Sequence, residues 1–355
     1  MVNQNRFTKM VVCLAASALI AGTLEASAAA RATSSGAAKQ TTTKVTPARS
    51  TTKKTYSATT ARNRRAQLAR ARAAARAREL RDVQTPRFRV DEFGREVPDV
   101  RAEAAIIYNP QTNEVLWEEH AQDQRSMASI TKVMTALVFL DSGADLATPL
   151  TVQRSDVSRA STTYLRNGYK LTAQDLLNLL LVGSDNAAAR ALARISPYGS
   201  DGFIDKMNEK AATLGLTTTH YADPSGLLAE NVSSAFDLAR LIAYAAADER
   251  IGAIMRKTSY QTYSGKSLIS AHSTNQIVRS GDIDVVGGKT GFISRSGYCL
   301  ATLLRLPETG QQVAFVVLGA KSNASRFWET RHLFNWMSTS SKALLDGSAQ
   351  QQEEE

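Results

Sequence analysis

Ser129-Ile-Thr-Lys132-Val-Met-Thr-Ala-Leu-Val-Phe-Leu140 is the stretch on which the reading of this chain turns. Val133, Met134, Leu137, Val138 and Leu140 recur at helical spacing, which predicts an amphipathic helix beginning near Ser129. Residues three apart on a helix share a face, so the Lys132 amine is expected within reach of the Ser129 hydroxyl. The N-terminal amides of such a helix also favour negative charge developing beside Ser129. Ser-x-x-Lys alone carries little weight, since Ser50-Thr-Thr-Lys53 repeats it where no apolar pattern follows. The helical context gives the first copy its meaning.

Outward from this helix, the apolar runs 104–108 and 115–117 flank a turn at Asn109-Pro110 to Asn113 and predict a hairpin. The middle of the chain reads as helical. Thr172 and Asp175 form a capping-box pattern before 176–181, and Ser234 and Asp237 repeat it before Leu238, Leu241, Ile242 and Ala245. Further helices are expected over 186–195 and 203–214. The last third returns to strands at 298–306 and 313–318, separated by the turn-rich 307–310, and closes with a helix over 324–345. Strands at both ends around a helical middle predict an α/β (α+β) fold, an antiparallel sheet flanked by helices with an inserted helical subdomain.

Composition divides the 355 residues into unlike parts. Arg6 and Lys9 precede an apolar run over 10–21 and then the small residues 26–30, the pattern of an export signal over 1–30 cleaved near Ala28 or Ala30. The run is about a dozen residues, short of the roughly 20 a spanning helix needs. Export would carry the chain across the inner membrane to the periplasm or cell envelope. Of the two cysteines, Cys13 would leave with the signal, so Cys299 has no partner for a disulfide. Val11 and Val12 before Cys13 do not fit lipid attachment.

Residues 31–85 hold 14 Lys and Arg against Glu79 and Asp82, while the whole chain carries +10. The basicity therefore belongs to this segment, and the folded part, 86–345, is near neutral. Built mostly of Thr, Ser, Ala, Lys and Arg, the segment is expected to be a disordered linker that gives the domain reach. The alternative is a basic helix over 62–81 lying on an anionic wall or membrane surface. Export speaks against a nucleic-acid partner. A short acidic tail is expected at 346–355.

Two further motifs follow the first. Ser184-Asp185-Asn186 sits where a tight loop should join two helices, and taken alone it reads as a helix cap. Lys289-Thr290-Gly291 precedes a strand; a lysine there is ordinarily solvated, and Gly291 would let a substrate strand lie close. With the three in this order the chain resembles the penicillin-binding proteins and serine β-lactamases. It is most similar to their low-molecular-mass D-alanyl-D-alanine carboxypeptidases and endopeptidases. The resembling stretches are Ala128-Ser-Ile-Thr-Lys-Val-Met-Thr-Ala136, Val182-Gly-Ser-Asp-Asn-Ala-Ala-Ala-Arg-Ala-Leu-Ala193, Asp223-Pro-Ser-Gly-Leu227, Gly287-Gly-Lys-Thr-Gly-Phe292 and Gly297-Tyr-Cys-Leu300, within residues 100 to 340.

The resemblance implies a β-lactamase/transpeptidase-like fold and a penicillin-binding serine peptidase acting on peptidoglycan stem peptides or cross-links through an acyl-enzyme. Ser129 would be the nucleophile and Lys132 its base, which requires lowering an ordinary lysine pKa by about 3 units; burial and the charge of Lys289 are expected to do this. Ser184 would relay a proton to the leaving amine and Asn186 would hold the substrate amide. Lys289, Thr290 and Gly291 would bind the carboxylate side of the substrate. The oxyanion would rest between the amides of Ser129 and Phe292. No cofactor or metal is expected, because the histidines at 120, 220, 272 and 332 lack ligand spacing. His272 is expected on the surface although it precedes the Lys-Thr-Gly strand. The rivals are a β-lactamase, for which Glu230 is the one candidate deacylation base, and a non-catalytic wall-binding homologue. Family members with a C-terminal β-domain and membrane helix run well past the Lys-Thr-Gly strand, so the shorter, endopeptidase-like branch is expected.

Overall fold

In the computed structural model, residues 58–353 are described, so the expected signal at 1–30 and the first part of the basic segment lie outside the described residues. The core is an antiparallel sheet of five strands: β1 (Ala104–Asn109), β2 (Glu114–Glu119), β3 (Val285–Ile293), β4 (Gly297–Arg305) and β5 (Gln312–Ala320). Their order is β3-β4-β5-β1-β2, so the N-terminal hairpin pairs with the last strand through Val316↔Ile106 and Phe315↔Ile107. Ile106, Val316, Ala301 and Leu303 pack toward the helical region. Ile107, Phe315, Val317 and Leu300 pack on the other face, against Phe327, Leu333 and Phe334 of the closing helix. Burial on both faces explains why these strands read as continuous apolar runs rather than as an alternation.

The helices of seven residues or more among the described residues are α1 (Ala58–Gln84), α2 (Lys132–Asp141), α3 (Ala173–Val182), α4 (Asn186–Ile195), α5 (Gly199–Thr213), α6 (Ala235–Ala247), α7 (Glu249–Met255) and α8 (Asn323–Glu353). A single 3-10 turn, Ala128–Thr131, leads into α2 and carries Ser129. The expected amphipathic character of α2 is not what the structure has. Every residue from Lys132 to Leu140 is buried, because α3, α4, α5 and α6 all pack around it. Helix α2 is the axis of the helical region, and its first residue, a lysine, is carried inside with it.

Thr172 and Asp175 exchange the two bonds of a full capping box at the start of α3. Ser234 caps α6 through the Asp237 amide at 3.1 Å, but the Asp237 carboxylate turns away to the Thr218 amide and hydroxyl at 2.8 and 2.7 Å. That half of the expected box instead ties down the loop before β-bridged His220. The basic segment also differs from a linker in its second half. From Ala58 it is helical, residues 61–78 are exposed, and Asp82 near its end accepts from Arg101 at 3.0 Å. Ala, Arg, Leu and Gln are strong helix formers, which suffices to order a backbone that buries almost nothing. At the other end, α8 runs on through most of the expected acidic tail.

Candidate active site

Ser129 is placed by backbone packed on backbone. Ala128 takes a left-handed φ of 50°, and Gly226, at φ 78°, presses on it so closely that a Cβ there would stand 2.0 Å from the Ala128 carbonyl oxygen. On the other side a Cβ on Gly291 would meet the Met127 carbonyl oxygen at 2.6 Å. Gly291 was expected to admit a substrate strand. What it admits is the Ser129 turn, which lies against β3 with the Ser129 amide facing that strand.

Lys132 is fully buried, and its Nζ lies 2.8 Å from Ser129 Oγ, 2.6 Å from Asn186 Oδ1 and 2.5 Å from the Ser225 carbonyl oxygen. Two of these partners can only accept. A neutral amine has two N–H donors and one lone pair, so with both donors spent on Asn186 and Ser225 the lone pair faces the Ser129 hydroxyl. Burial lowers the Lys132 pKa to about 7, against the pull of Asp223 and Asp185 and helped by Arg190. Arg190 on α4 is a second helping cation, which the sequence did not announce. The repulsion expected from Lys289 registers at Lys289 itself, which burial, Lys132 and Arg326 together push well below the usual lysine range.

Lys289 is 1% exposed, contrary to a solvated rim lysine, because β3 runs through the interior here. Its Nζ donates to Ser184 Oγ and to the Thr290 carbonyl, both at 2.8 Å. The cap reading of Ser-Asp-Asn holds for its middle residue. Asp185 accepts from the Ala188 amide at 2.9 Å and binds the neighbouring loop through the Tyr164 amide at 2.6 Å. Its flanking residues turn into the cleft, Ser184 by a left-handed φ of 58°. Asn186 gives Oδ1 to Lys132 and donates from Nδ2 to the Ala160 carbonyl at 2.6 Å, which leaves its second amide hydrogen for a ligand.

Ser129, Ser184 and Asn186 open into a cleft of about 390 Å³, lined also by Thr290, Leu227 and Phe292, and Lys132 and Lys289 lie behind its wall, each against one of the two serines. Phe292 is half exposed and stacks on Tyr298 at 4.1 Å, forming part of the rim. Sequence reasoning missed Arg326, which reaches the cleft from α8, donates to the Gly291 carbonyl at 2.9 Å and is held by burial at about 10. No local pattern marks it. Nor was a role given to Asp223, although the stretch containing it had been singled out. No carboxylate lines the cleft; Glu230 is exposed on a loop outside it, and His272 is exposed as expected. A larger cavity of about 530 Å³ lies at the opposite end of the sheet, beside Tyr108, Leu303 and Gln312, and holds no nucleophile–base pair. Chemistry rather than size identifies the site. Among the described residues no cluster of His, Cys, Asp or Glu could hold a metal ion, and no helix is long and apolar enough to cross a membrane.

Residues 91–322 match the family model described as D-alanyl-D-alanine carboxypeptidase. The D-alanyl-D-alanine endopeptidase of Escherichia coli (strain K12) is 32% identical over 246 residues, covering 68% of this chain and 79% of that protein. The Haemophilus influenzae D-alanyl-D-alanine endopeptidase is 34% identical, over 63% of this chain and 78% of its own length. Among solved structures, the Streptomyces K15 DD-transpeptidase superposes with a TM-score of 0.63 at 28% identity, over 67% of this chain and 97% of that one.

Proposed function

This chain belongs to the D-alanyl-D-alanine carboxypeptidase family, and from that premise we propose a serine D-alanyl peptidase that opens peptidoglycan cross-links and is trapped by β-lactams. The observation that carries the proposal is the Lys132 amine, fully buried, 2.8 Å from Ser129 Oγ and bonded to two further groups that can only accept. Lys132 takes the Ser129 proton as Oγ attacks the D-alanyl carbonyl carbon. The oxyanion forms beside the amides of Ser129 and Phe292. As the C–N bond breaks, Ser184 relays to the leaving amine the proton that Lys132 took, which leaves Lys132 neutral again, and the acyl group stays on Oγ as an ester. Water, deprotonated by Lys132, then attacks the ester and returns the proton to Ser129. Asn186 orients the substrate amide, and Lys289, Thr290 and Arg326 hold the carboxylate beyond the scissile bond.

The endopeptidase branch is favoured by the likeness to the two endopeptidases. The β-lactamase reading is disfavoured because a penicilloyl ester in this cleft meets no carboxylate that could activate water, and Glu230 stands outside. Labelled penicillin is expected to attach to Ser129 and to persist, with no labelling of Ser129→Ala. Equal labelling of that variant excludes Ser129 as nucleophile. Digestion of purified wall, followed by mass, is expected to convert cross-linked dimers to monomers; loss of terminal D-alanine alone would instead mark a carboxypeptidase.

We place the catalytic domain at 86–345, after an exported leader, in the periplasm or cell envelope. The segment 31–85 would serve as an electrostatic arm toward anionic wall or membrane material. Its exposed arginines, Arg62, Arg65, Arg70, Arg72, Arg76 and Arg78 among them, point to all sides of α1. Removing 31–85 is expected to leave turnover of soluble peptides within about twofold and to abolish salt-sensitive adsorption to anionic wall. Unchanged adsorption at low salt would leave the arm as a spacer.

A further inference from the structure

One wall of the cleft is a loop built around a single carboxylate. Asp223, 9% exposed, accepts from the Ser225 hydroxyl at 2.5 Å and amide at 3.4 Å through Oδ2, and from the Gly226 amide at 2.9 Å and Asn231 Nδ2 at 2.5 Å through Oδ1. Asn231 closes the loop by accepting from the Ala222 amide at 3.1 Å, and its carbonyl receives the Met127 amide at 3.0 Å, two residues before Ser129. The consequence is local and specific. Ser225 is held with its carbonyl on Lys132 Nζ, while Gly226 is pressed onto Ala128.

We propose that Asp223 is a positioning residue for acylation: it fixes the Ser225 carbonyl and puts a buried negative charge behind it, so that the Lys132 lone pair stays aimed at Ser129. The inference rests on reading Lys132 as the base. A neutral amine keeps its lone pair in one direction only while both N–H groups have fixed acceptors. Asn186 supplies one from α4, itself anchored on Ala160. Ser225 supplies the other, and the orientation of that peptide is set by the Asp223 carboxylate.

The charge matters as well. Four charged groups face Lys132: Asp185 and Arg190 from α4, Lys289 from β3 and Asp223 from the loop. Burial and the two cations drive the proton off, and the two aspartates hold it. Asp185 already satisfies Thr163, the Tyr164 amide and the Ala188 amide, and serves α4 as its cap. Asp223 is bonded to the very residue whose carbonyl touches Nζ. Removing its charge therefore frees the lone pair at lower pH while loosening its aim.

The test is the pH dependence of Ser129 acylation by labelled penicillin, on the full chain. Asp223→Asn is expected to move the acid limb to lower pH than in the wild type and to lower the plateau by about tenfold or more, within the range a well-placed base contributes. Ser225→Ala keeps the charge and the carbonyl, so its limb should coincide with the wild type. Asp223→Glu, a fallback should Asp223→Asn fail to fold, keeps the charge but displaces the carboxylate; its limb should stay and its plateau should fall. An Asp223→Asn limb that coincides with the wild type or moves up overturns the proposal, as does an undiminished Asp223→Glu plateau. A wild type with no acid limb at all would instead undo the reading of Lys132 as base.

Discussion

Lys132 and Lys289 are both buried behind one cleft, and each lies 2.8 Å from a serine hydroxyl that opens into it, yet their surroundings differ in one respect. Asp223 and Asp185 act on Lys132, whereas the charged neighbours that act on Lys289 are Lys132 and Arg326, both cations. Burial depresses both lysines, so burial does not assign their roles. What each environment lacks does. Lys132 has its counter-charges and its two acceptors, as the proposed base requires. Lys289 and Arg326 form a basic wall without an anion, which a substrate carboxylate completes while drawing a proton onto Lys289. One side of the cleft handles a proton and the other awaits a charge.

Substitution is the strongest way to break this division. Lys132→Ala should lower the rate of Ser129 acylation by about 10²- to 10⁴-fold at every pH, the span attributed to a positioned proton acceptor. Lys289→Ala should cost less, about 10- to 100-fold for penicillin, equivalent to one hydrogen bond to a charged group. For an ester substrate without the carboxylate the Lys289→Ala loss should nearly vanish, while the Lys132→Ala loss should remain. If Lys289→Ala is the more damaging of the two toward the ester, the division of labour is wrong. Acylation rates from stopped-flow or gel labelling decide it.

The same two lysines mark how far sequence could see. Ser129 and Lys132 were legible because a three-residue spacing on a helix is a geometric statement, and the Thr172–Asp175 box because capping is local. Four strands of the sheet were legible from apolar runs at 104–108, 115–117, 298–306 and 313–318, whereas β3 had only its Lys-Thr-Gly motif to mark it. What escaped was whatever other elements decide. That α2 is buried all round follows from four helices packed on it, and no pattern inside α2 reports them. Lys289 read as solvated because a strand does not announce that its neighbours cover its rim. Gly291 read as space for a ligand when the space was already taken by Met127 and Ala128. Arg326 stands 35 residues along the chain from the Gly291 carbonyl it binds and carries no motif of its own, and Asp223, though it opens a recognisable stretch, acts on Lys132 through charge and through Ser225, which no local pattern states.

The smallest expected effect is also the sharpest on the comparison. With Lys132 as the proposed base, only its neutral form would accept the Ser129 proton, and burial lowers its pKa to about 7, so acylation should fall about tenfold per pH unit below 7 and level off above it. At low penicillin concentration the profile reports the free protein; at saturation it reports the complex. A carboxylate docked against Lys289 and Arg326 acts on the two lysines with opposite sign. It stabilises the ammonium of Lys289, its nearer neighbour, and a charged Lys289 then repels the proton on Lys132. It also attracts that proton directly, but from farther away. Burial beside Lys132 and Arg326 disfavours the charged form of Lys289 in the free protein, so the first effect should dominate and the acid limb at saturation should lie below the limb at low concentration. Binding should then take up a proton onto Lys289, measurable as a buffer-dependent heat. A limb that moves upward on saturation would mean that Lys289 was already charged before the ligand arrived.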